Sequence, residues 1–548
     1  MAQPRMNALV NRVNDDNVKW FTLIAACFGL FMAILDNLVV NIAMPTIARD
    51  LDASTTQLQW IVSAYTLIFA SLQITAGGLG DRLGRKRLFL FGLILFTATS
   101  GLAALSQNIE MLIAARALQG LGAAFIMPLS LSLISAAFPP EERGKAIGIW
   151  SAISVSGIAL GPVVGGLVVE YLSWEWVFLI NIPIGIVAFF VTSAVVRESK
   201  DESGDSVIDV PGTVLITAAI ASLTYGLIEA GNRGWGDSLI VACLVGAVVL
   251  GLAFVYVESK VAKPMVPLRF FKSGSFTGAN LDSFAISFLI AGIAFFMTLY
   301  QQNVHGFSPV RAGLALLPMV IPMMIFSPLS APIVARIGGR VVVSMGMTIV
   351  GIGQLLLFRA SSDASFLDIV PGFVAMGFGM SFIWAPMTTA MLNSVDGSKA
   401  GVASAVNGAI REIGTAFGIA LLGTIANRRY LTELNGDGRV RDLQANGDGT
   451  VGTAIATLRQ GPALAGHVIE SPDFGFVGQI GGDVLERLRL ASSDAFISGM
   501  ERSFVISSVF IFAAAIGSYF LLSNETATNA AKRTVEEELP EGLAATGD

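Results

Sequence analysis

Polar breaks divide this sequence into a succession of apolar runs, most of them about 20 residues or longer, the length needed to cross a bilayer as a helix. Read from break to break, the pattern predicts about fourteen membrane helices. They fall near 20–44, 58–80, 88–106, 110–138, 145–170, 175–196, 209–230, 238–258, 276–301, 310–335, 340–359, 366–393, 400–427 and 503–522. The first run follows a polar tail, 1–19, and continues through Met44 without the short apolar core and small-residue cleavage site of a secretory signal, so it is expected to remain as a membrane helix. The fold class that follows is an all-α polytopic membrane protein.

Composition agrees: 54% of the 548 residues are hydrophobic and 14% charged, with a mean hydropathy of +0.70, which sets the chain apart from water-soluble proteins. Lys and Arg fix the expected orientation. One alternating set of connections holds Arg5, Arg12, Lys19, "DRLGRKR", "EERGK", Arg197, Lys200, the 260–272 stretch, Arg336, Arg340, Lys399 and Lys532–Arg533. That is roughly 20 basic residues against roughly 4 in the opposite short loops, so both termini are expected in the cytoplasm of a cell whose plasma membrane the chain spans. The net charge of −6 owes part of its sign to an acidic tail, 523–548, and no basic domain suggests nucleic acid.

The 428–502 segment breaks the rhythm. It is long and rich in Gly, Asp and Arg, and the alternation places it outside. "DVLERLRLASSDAFISGMERS" has helical apolar spacing, whereas "LNGDGRVRDLQANGDGTVG" is turn-rich, so the expectation is a partly helical external hairpin, with a disordered loop as the alternative. A diverged repeat is also visible. "GGLGDRLGRKR" at 77–87 finds an echo in "APIVARIGGR" at 331–340, laying Arg82 over Arg336, Gly84 over Gly338 and Lys86 over Arg340. The same shift, within a residue, sets Gly161 and Gly165 over Gly414 and Gly418. Two six-helix halves, 20–196 and 276–522, with two helices inserted at 209–258, explain the spacing; halves so related bind substrate at their interface and work by rocking.

Several chemistries find no support. The nearest Gly-Lys to a phosphate-binding loop, Gly144–Lys145, has Pro139 where the first glycine belongs. His305 and His467 lie in separate external segments without metal-ligand spacing, and Cys27 and Cys243 sit in apolar runs as buried thiols. No nucleophile–base set or cofactor pattern stands out. The expectation is no metal, no cofactor, no enzyme activity, and energy drawn from a gradient or a partner chain.

At this point the residues resemble a known family. "LDNLVVNIAMPTI" in the first helix, "GGLGDRLGRKR" after the second, "RALQGLGAA" in the fourth, "GIALGPVVGG" in the fifth and "NGAIREIGTAFGIALLG" in the thirteenth together resemble the 14-helix drug:proton antiporter group of the major facilitator superfamily, over nearly the whole chain. The resemblance implies a major facilitator fold and export of varied lipophilic or cationic small molecules in exchange for protons. It also implies that the 77–87 loop, with Gly78, Asp81, Arg82, Gly84, Arg85 and Lys86, governs a conformational switch. Gly157, Gly161, Pro162, Gly165 and Gly166 match the antiporter motif, which implies a part in closing a leak pathway. Tight helix packing is the plainer reading of those glycines, with Pro162 expected to bend the helix. Ala335 stands where the repeat would place Asp81, so any lock formed there should be asymmetric.

Physical reading sharpens three acids. Asp36 lies about 16 residues into a helix entering from inside, roughly 24 Å deep in a core of about 30 Å. Arg116 lies about 6 residues into a helix entering from outside, roughly 9 Å from that face, so the two depths agree within a turn. Asp36 is expected to face a central cavity and to pair with Arg116 in at least one state, exchanging a proton as their separation changes; a permanent pair that only fixes packing is the alternative. Arg411 and Glu412 lie near the midplane and, as neighbours on a helix, point about 100° apart. Glu412 is expected to be a second cavity acid that attracts cations or carries a proton. Asp282, about 6 or 7 residues into its helix, is expected to be hydrated near the inner face.

Tyr65, Tyr300, Trp384 and Met387 are candidates for a pocket that takes flat cations, with packing as the alternative, while Trp60 reads as an interfacial anchor. The expected partners are a lipophilic or cationic small molecule, protons and the lipid bilayer. A dedicated lipid or metabolite exporter remains the alternative in transport, and a periplasmic or membrane-fusion adaptor is left open.

Overall fold

Helix-capping residues set where the spans begin. Asn108 accepts the N–H of Met111 at 2.8 Å, Asp237 accepts that of Leu239 at 2.9 Å, and Ser365 and Asp368 form a reciprocal capping box, each satisfying backbone donors that a helix start leaves open. A computed structural model of the chain describes residues 15–51, 53, 55–200, 209–261, 264–359, 361, 364–447, 449–459 and 479–523. Arg5, Arg12, His467 and Lys532–Arg533, most of the 1–19 tail and nearly all of the acidic tail lie outside the described residues.

The architecture is all-helical. The first half contains α1 (Asp15–Asp50), α2 (Thr55–Leu83), α3 (Arg85–Ala104), α4 (Ile109–Ala137) and α5 (Pro140–Tyr171), with α6 (Trp176–Val195) completing it. The inserted pair is α7 (Val210–Arg233) and α8 (Ser238–Lys260). The second half contains α9 (Gly274–Val304), α10 (Leu317–Ile337), α11 (Gly339–Leu356), α12 (Phe366–Asn393) and α13 (Gly397–Gly436). Two short helices, α14 (Gly438–Asn446) and α15 (Gly449–Leu458), then lead to α16 (Gly482–Leu521). Thirteen of these helices are long and apolar enough to cross a membrane; α5, 32 residues long, occupies the position of the remaining expected span.

Two boundaries differ from the sequence expectation. The last span begins at Gly482, not near residue 503, and runs 40 residues, about 60 Å at 1.5 Å per residue and twice the hydrocarbon thickness. α13 likewise continues to Gly436, past the expected 427. The reason is a second small core: Tyr430 and Leu434 of α13, Leu443 of α14, Ile455 and Leu458 of α15 and Leu488 of α16 are all buried. Tyr430 joins the pieces by hydrogen bonds to the Leu458 carbonyl at 3.0 Å and the Ser492 hydroxyl at 2.9 Å. The segment read as a hairpin is thus the projecting half of two membrane helices, capped by α14 and α15.

Prolines interrupt other spans. α12 breaks at 382–383, because Pro386 has no N–H to offer the carbonyl one turn earlier; α10 passes through a 3-10 turn at Ser327–Leu329. α5, by contrast, stays helical through residue 162. Single π-helical turns sit at Tyr300–Val304 and Gly418–Leu422.

The halves meet along two seams built on small residues. On α2 and α13, the backbones of Gly77 and Gly401 approach so closely that neither position has room for a side chain. On α5 and α10, Gly148 lies against Ser327 and Pro328, with 3.3 Å from its missing Cβ to each backbone. Gly84 and Gly338, which the repeat aligns, both turn the chain between helices in positive-φ conformations, +116° and +85°. The inserted pair lies beside the first seam. Thr217 of α7 contacts Thr75 of α2 at 3.0 Å, and Trp235 donates to Thr424 of α13 at 2.8 Å. Trp60 packs its ring 6.2 Å from that of Tyr225 on α7. The outer face of α8 is exposed valine and leucine, including Val248 and Leu252, as a lipid-facing surface requires.

Candidate functional site

Arg116 and Asp36 are both fully buried and form a direct ion pair between Nη1 and Oδ2. Helix α4 presents Arg116 one turn before Gln119, so both reach the same carboxylate. Gln119 donates to Asp36 Oδ1 at 3.1 Å, and Asn181, in the second turn of α6, donates to the same oxygen at 2.7 Å. Ser100 of α3 accepts from Gln119 and Asn181 at 2.7 and 3.3 Å and donates to the Phe96 carbonyl at 2.8 Å. Arg116 also donates to the Ile61 carbonyl at 3.3 Å and lies 4.4 Å above the ring of Tyr65.

Every neighbour seen to hydrogen-bond Asp36 is a donor, an arrangement that offsets the removal of the carboxyl oxygens from water. Arg116 Nη2 and Asn181 Oδ1 have no hydrogen-bond partner. The cluster is drawn from α1, α2, α3, α4 and α6, so Asp36 lies inside the first half and not on the wall of a cavity between the halves. The reason is the pairing itself: the donors turn the carboxylate inward. Glycines of α5 hold α1 in place from the other side. A Cβ on Gly157, Gly161 or Gly165 would come within 2.9, 2.7 and 3.0 Å of Ile34, Leu38 and Ile42, three residues at one-turn spacing that bracket Asp36 on α1. Gly166 is buried as well.

Glu412 and Arg411 sit on α13, with side chains 19% and 25% exposed. Arg411 reaches across to the Met127 sulfur of α4 at 3.7 Å and lies 5.9 Å from the Trp384 ring. The two charges approach at 4.0 Å, closer than neighbours pointing 100° apart suggest, because long side chains can bend toward each other. Tyr65 is itself buried, with its ring beneath the Arg116 guanidinium. Tyr300 and Met387 are not part of this group: both are fully buried, Tyr300 donating to the Ser361 carbonyl at 2.7 Å and Met387 accepting from Ser283 at 3.5 Å.

Asp282 corrects the expectation of a hydrated acid. It is 1% exposed, accepts from Ser518 at 2.7 Å, and its Oδ2 has no hydrogen-bond partner, because the last helix covers it.

A second constellation joins the halves at the face richest in Lys and Arg. Asp81, buried at the end of α2, accepts from Arg85 Nε at 2.8 Å and from the backbone N–H groups of Gly401 and Val402. Arg85 in turn donates to the carbonyls of Gly397 and Ser398, both at 2.9 Å. One acid and one base of the first half thus cap the start of α13 in the second. Glu198 holds the opposite side of the loop, accepting from the N–H groups of Lys86 and Arg87 at 3.0 and 3.2 Å, while Lys86 donates to the Ser193 carbonyl at 2.9 Å. Arg143 adds a contact to Asn393 of α12 at 3.3 Å. The repeat-related loop does differ: Arg340 donates to the Leu522 carbonyl at 3.0 Å, within its own half.

Sequence reading missed Gln119, Asn181, Ser100 and Glu198. Gln119 had a signal, standing one helical turn from Arg116. Among the described residues, no group of three or more His, Cys, Asp or Glu is placed to hold a metal ion.

The family profile described as Major Facilitator Superfamily matches residues 26–419. The chain is 33% identical over 507 residues to the tetracenomycin C resistance and export protein of Streptomyces glaucescens, covering 91% of each chain. It is 37% identical to the multidrug resistance protein Stp of Mycobacterium tuberculosis (strain CDC 1551 / Oshkosh), over 74% of this chain and 75% of that one. The methylenomycin A resistance protein of Streptomyces coelicolor is also 37% identical, over 73% of this chain and 84% of that one. In fold, the chain resembles the human organic anion transporter MFSD10 (TETRAN), with a TM-score of 0.58 at 12% identity, over 90% of this chain and 99% of that one.

Proposed function

The chain belongs to the major facilitator superfamily, and from that premise we propose that it is a proton-coupled antiporter exporting lipophilic or cationic small molecules by alternating access. The reading rests above all on Asp36, a carboxylate without solvent exposure inside a membrane bundle and held by donors alone. An acid in that position is costly to insert, and protonating it removes the reason for the ion pair with Arg116. Proton uptake therefore releases Arg116, and the release repositions α1 against α4. Tyr65, whose ring lies beneath Arg116, passes this change to α2, the helix that meets α13 at Gly77 and Gly401.

Glu412, Arg411 and Trp384 form the polar and aromatic part of the substrate surface. Glu412 attracts cations, and Trp384 offers a ring face to them. The Asp81–Arg85 clasp on α13 holds the basic face shut, and its breakage is the step that exposes the substrate surface to that side. By the charge rule that side is the cytoplasm, so on this reading both termini lie on the cytoplasmic side of a plasma membrane. Relatives named for drug and antibiotic resistance or export support the assignment to efflux.

The test is transport in proteoliposomes under an imposed pH gradient, with a fluorescent cation such as ethidium as cargo. The native protein accumulates the cation against its gradient and loses this when the proton gradient is collapsed; Asp36→Asn loses the driven component. Unchanged driven transport in Asp36→Asn removes the proton role. A second reading, a dedicated exporter of one metabolite, draws on the relatives named for single compounds. Failure to move several unrelated cations, with coupling to one compound retained, favours it.

A further inference from the structure

The two inserted helices carry a pair of acids for which the transport cycle above has no use. Asp209 caps α7, its Oδ1 accepting the N–H of Gly212 at 2.9 Å. Glu258, near the end of α8, accepts the N–H groups of Met265 and Val266 on its Oε1 at 3.2 and 3.4 Å. Asp209 is 6% exposed and Glu258 3%. A Cβ on Gly212 would stand 2.9 Å from both the Asp209 carboxyl carbon and Glu258 Oε1, so the two groups lie within about 6 Å of each other, a distance at which two buried negative charges repel strongly. One further oxygen of each, Asp209 Oδ2 and Glu258 Oε2, has no hydrogen-bond partner.

We propose that Asp209 and Glu258 form a site for a single proton, and that its occupancy decides whether the basic face stays latched. Asp209, whose Oδ1 is engaged in capping α7, is the accepting member. Glu258 holds the proton on Oε2, with the spare oxygen of Asp209 as its acceptor. The charged groups acting on Glu258 are Asp209 from α7 and Arg82 from α2; Lys260, Arg269 and Lys272 on the adjoining segments are exposed to the surroundings.

The path to the latch is short. Glu258 fixes the backbone of Met265, whose Cγ lies 3.2 Å from the position of a Cβ on Gly78, and Val402 reaches the same position at 3.7 Å. Thr213 of α7 donates to the Met265 sulfur at 3.2 Å. Val402 is also a residue whose N–H Asp81 holds, at 2.9 Å. Met265 and Val402 therefore close over Gly78 beside the Asp81 clasp. Loss of the proton leaves two anions facing each other; the start of α7 and the end of α8 separate, and Met265 loses its anchor. The latched form is accordingly favoured at low pH on this face and weakened as pH rises.

The test reads the shape of the resting protein and needs no transported cargo, so it stands or falls independently of the export reading. Spin labels are placed at Arg87→Cys, whose native side chain is 79% exposed, and Gly397→Cys, which has open space around it, in a chain carrying Cys27→Ala and Cys243→Ala. In lipid nanodiscs the short-distance population should fall with rising pH, by at most about tenfold per pH unit, the slope of one proton. Glu258→Gln and Asp209→Asn should each keep the short distance at all pH values. A native-like transition in either variant overturns the proposal, as does a shift of the transition with sodium at constant ionic strength, which would mean a metal cation at the site. Infrared spectroscopy gives a second measure: a protonated-carboxyl band lost at high pH should be absent from Glu258→Gln and present in Asp36→Asn. Persistence of that band in Glu258→Gln also overturns it.

Discussion

Asp81 accepts the backbone N–H of Gly401 at 3.0 Å, so an acid that ends one helix of the first half caps the start of a helix in the second. Three hundred and twenty positions separate the two residues, and no covalent constraint holds them together. The contact is reversible, charged at one end and backbone at the other, which suits an element that must break in each cycle.

Asp81→Asn keeps the shape but weakens donation from Arg85 and from the helix start. Hydrogen bonds to a charged group contribute about 1.5–3 kcal/mol, so the latched population should fall roughly tenfold or more. Ligand affinity should change little while the transport rate drops; equilibrium binding and initial-rate transport on the same preparation separate the two.

Asn181→Ala removes the donor 2.7 Å from Asp36 Oδ1. Leaving a buried carboxylate short of one partner destabilises by about 1–3 kcal/mol. The thermal midpoint in detergent should fall, and pH-gradient-driven export should decline more than downhill movement of the same cation. Equal loss of both would assign Asn181 to packing alone.

Gly161→Leu introduces a side chain where even a Cβ would sit 2.7 Å from Leu38. Overpacking costs about 1–3 kcal/mol, and α1 with Asp36 is forced away from α5. The protein should still insert, with transport reduced at least roughly tenfold, and Gly161→Ala should be milder. Loss of the protein from the membrane fraction would point to assembly as the function of the glycines.

Glu412→Gln removes one negative charge from a side chain that is 19% exposed. Apparent affinity for monovalent cationic substrates should weaken by roughly tenfold, the effect of about 1.4 kcal/mol, with neutral lipophilic substrates unaffected. Competition assays with matched charged and uncharged compounds read this difference.

Asp437 tests the projecting unit. Its carboxyl is held below the usual range, first by the hydrogen bonds from the Arg439 side chain, which lies 2.7 Å away and also pairs with Asp494 at 2.7 Å. A depressed acid stabilises the fold above its ordinary titration range, and that stability is lost as pH falls through the lowered value. Asp437→Asn should therefore increase amide exchange in α14 at neutral pH, by an amount of order 1 kcal/mol for a partly exposed pair. The difference should vanish in strong acid.

The amino-acid sequence by itself determined what depends on neighbouring residues. Apolar run length set the membrane class and the order of the spans, and the glycines at 84 and 338 marked equivalent turns in the two halves. The similar depths of Asp36 and Arg116 followed from counting residues along two helices. The projecting half of α16 was partly legible, since "DVLERLRLASSDAFISGMERS" has helical spacing, but its continuity with the last span was not: Leu488 is buried only because α13, α14 and α15 fold over it. Tertiary structure alone decided which donors surround Asp36, what Asp81 caps, and that Asp282 is covered by Ser518. Those partners lie 83, 145, 236 and more than 300 residues apart. Hydropathy and helical period are properties of a continuous segment, whereas a buried charge is satisfied by whichever helices happen to pass beside it, and that is fixed only when all of them have packed.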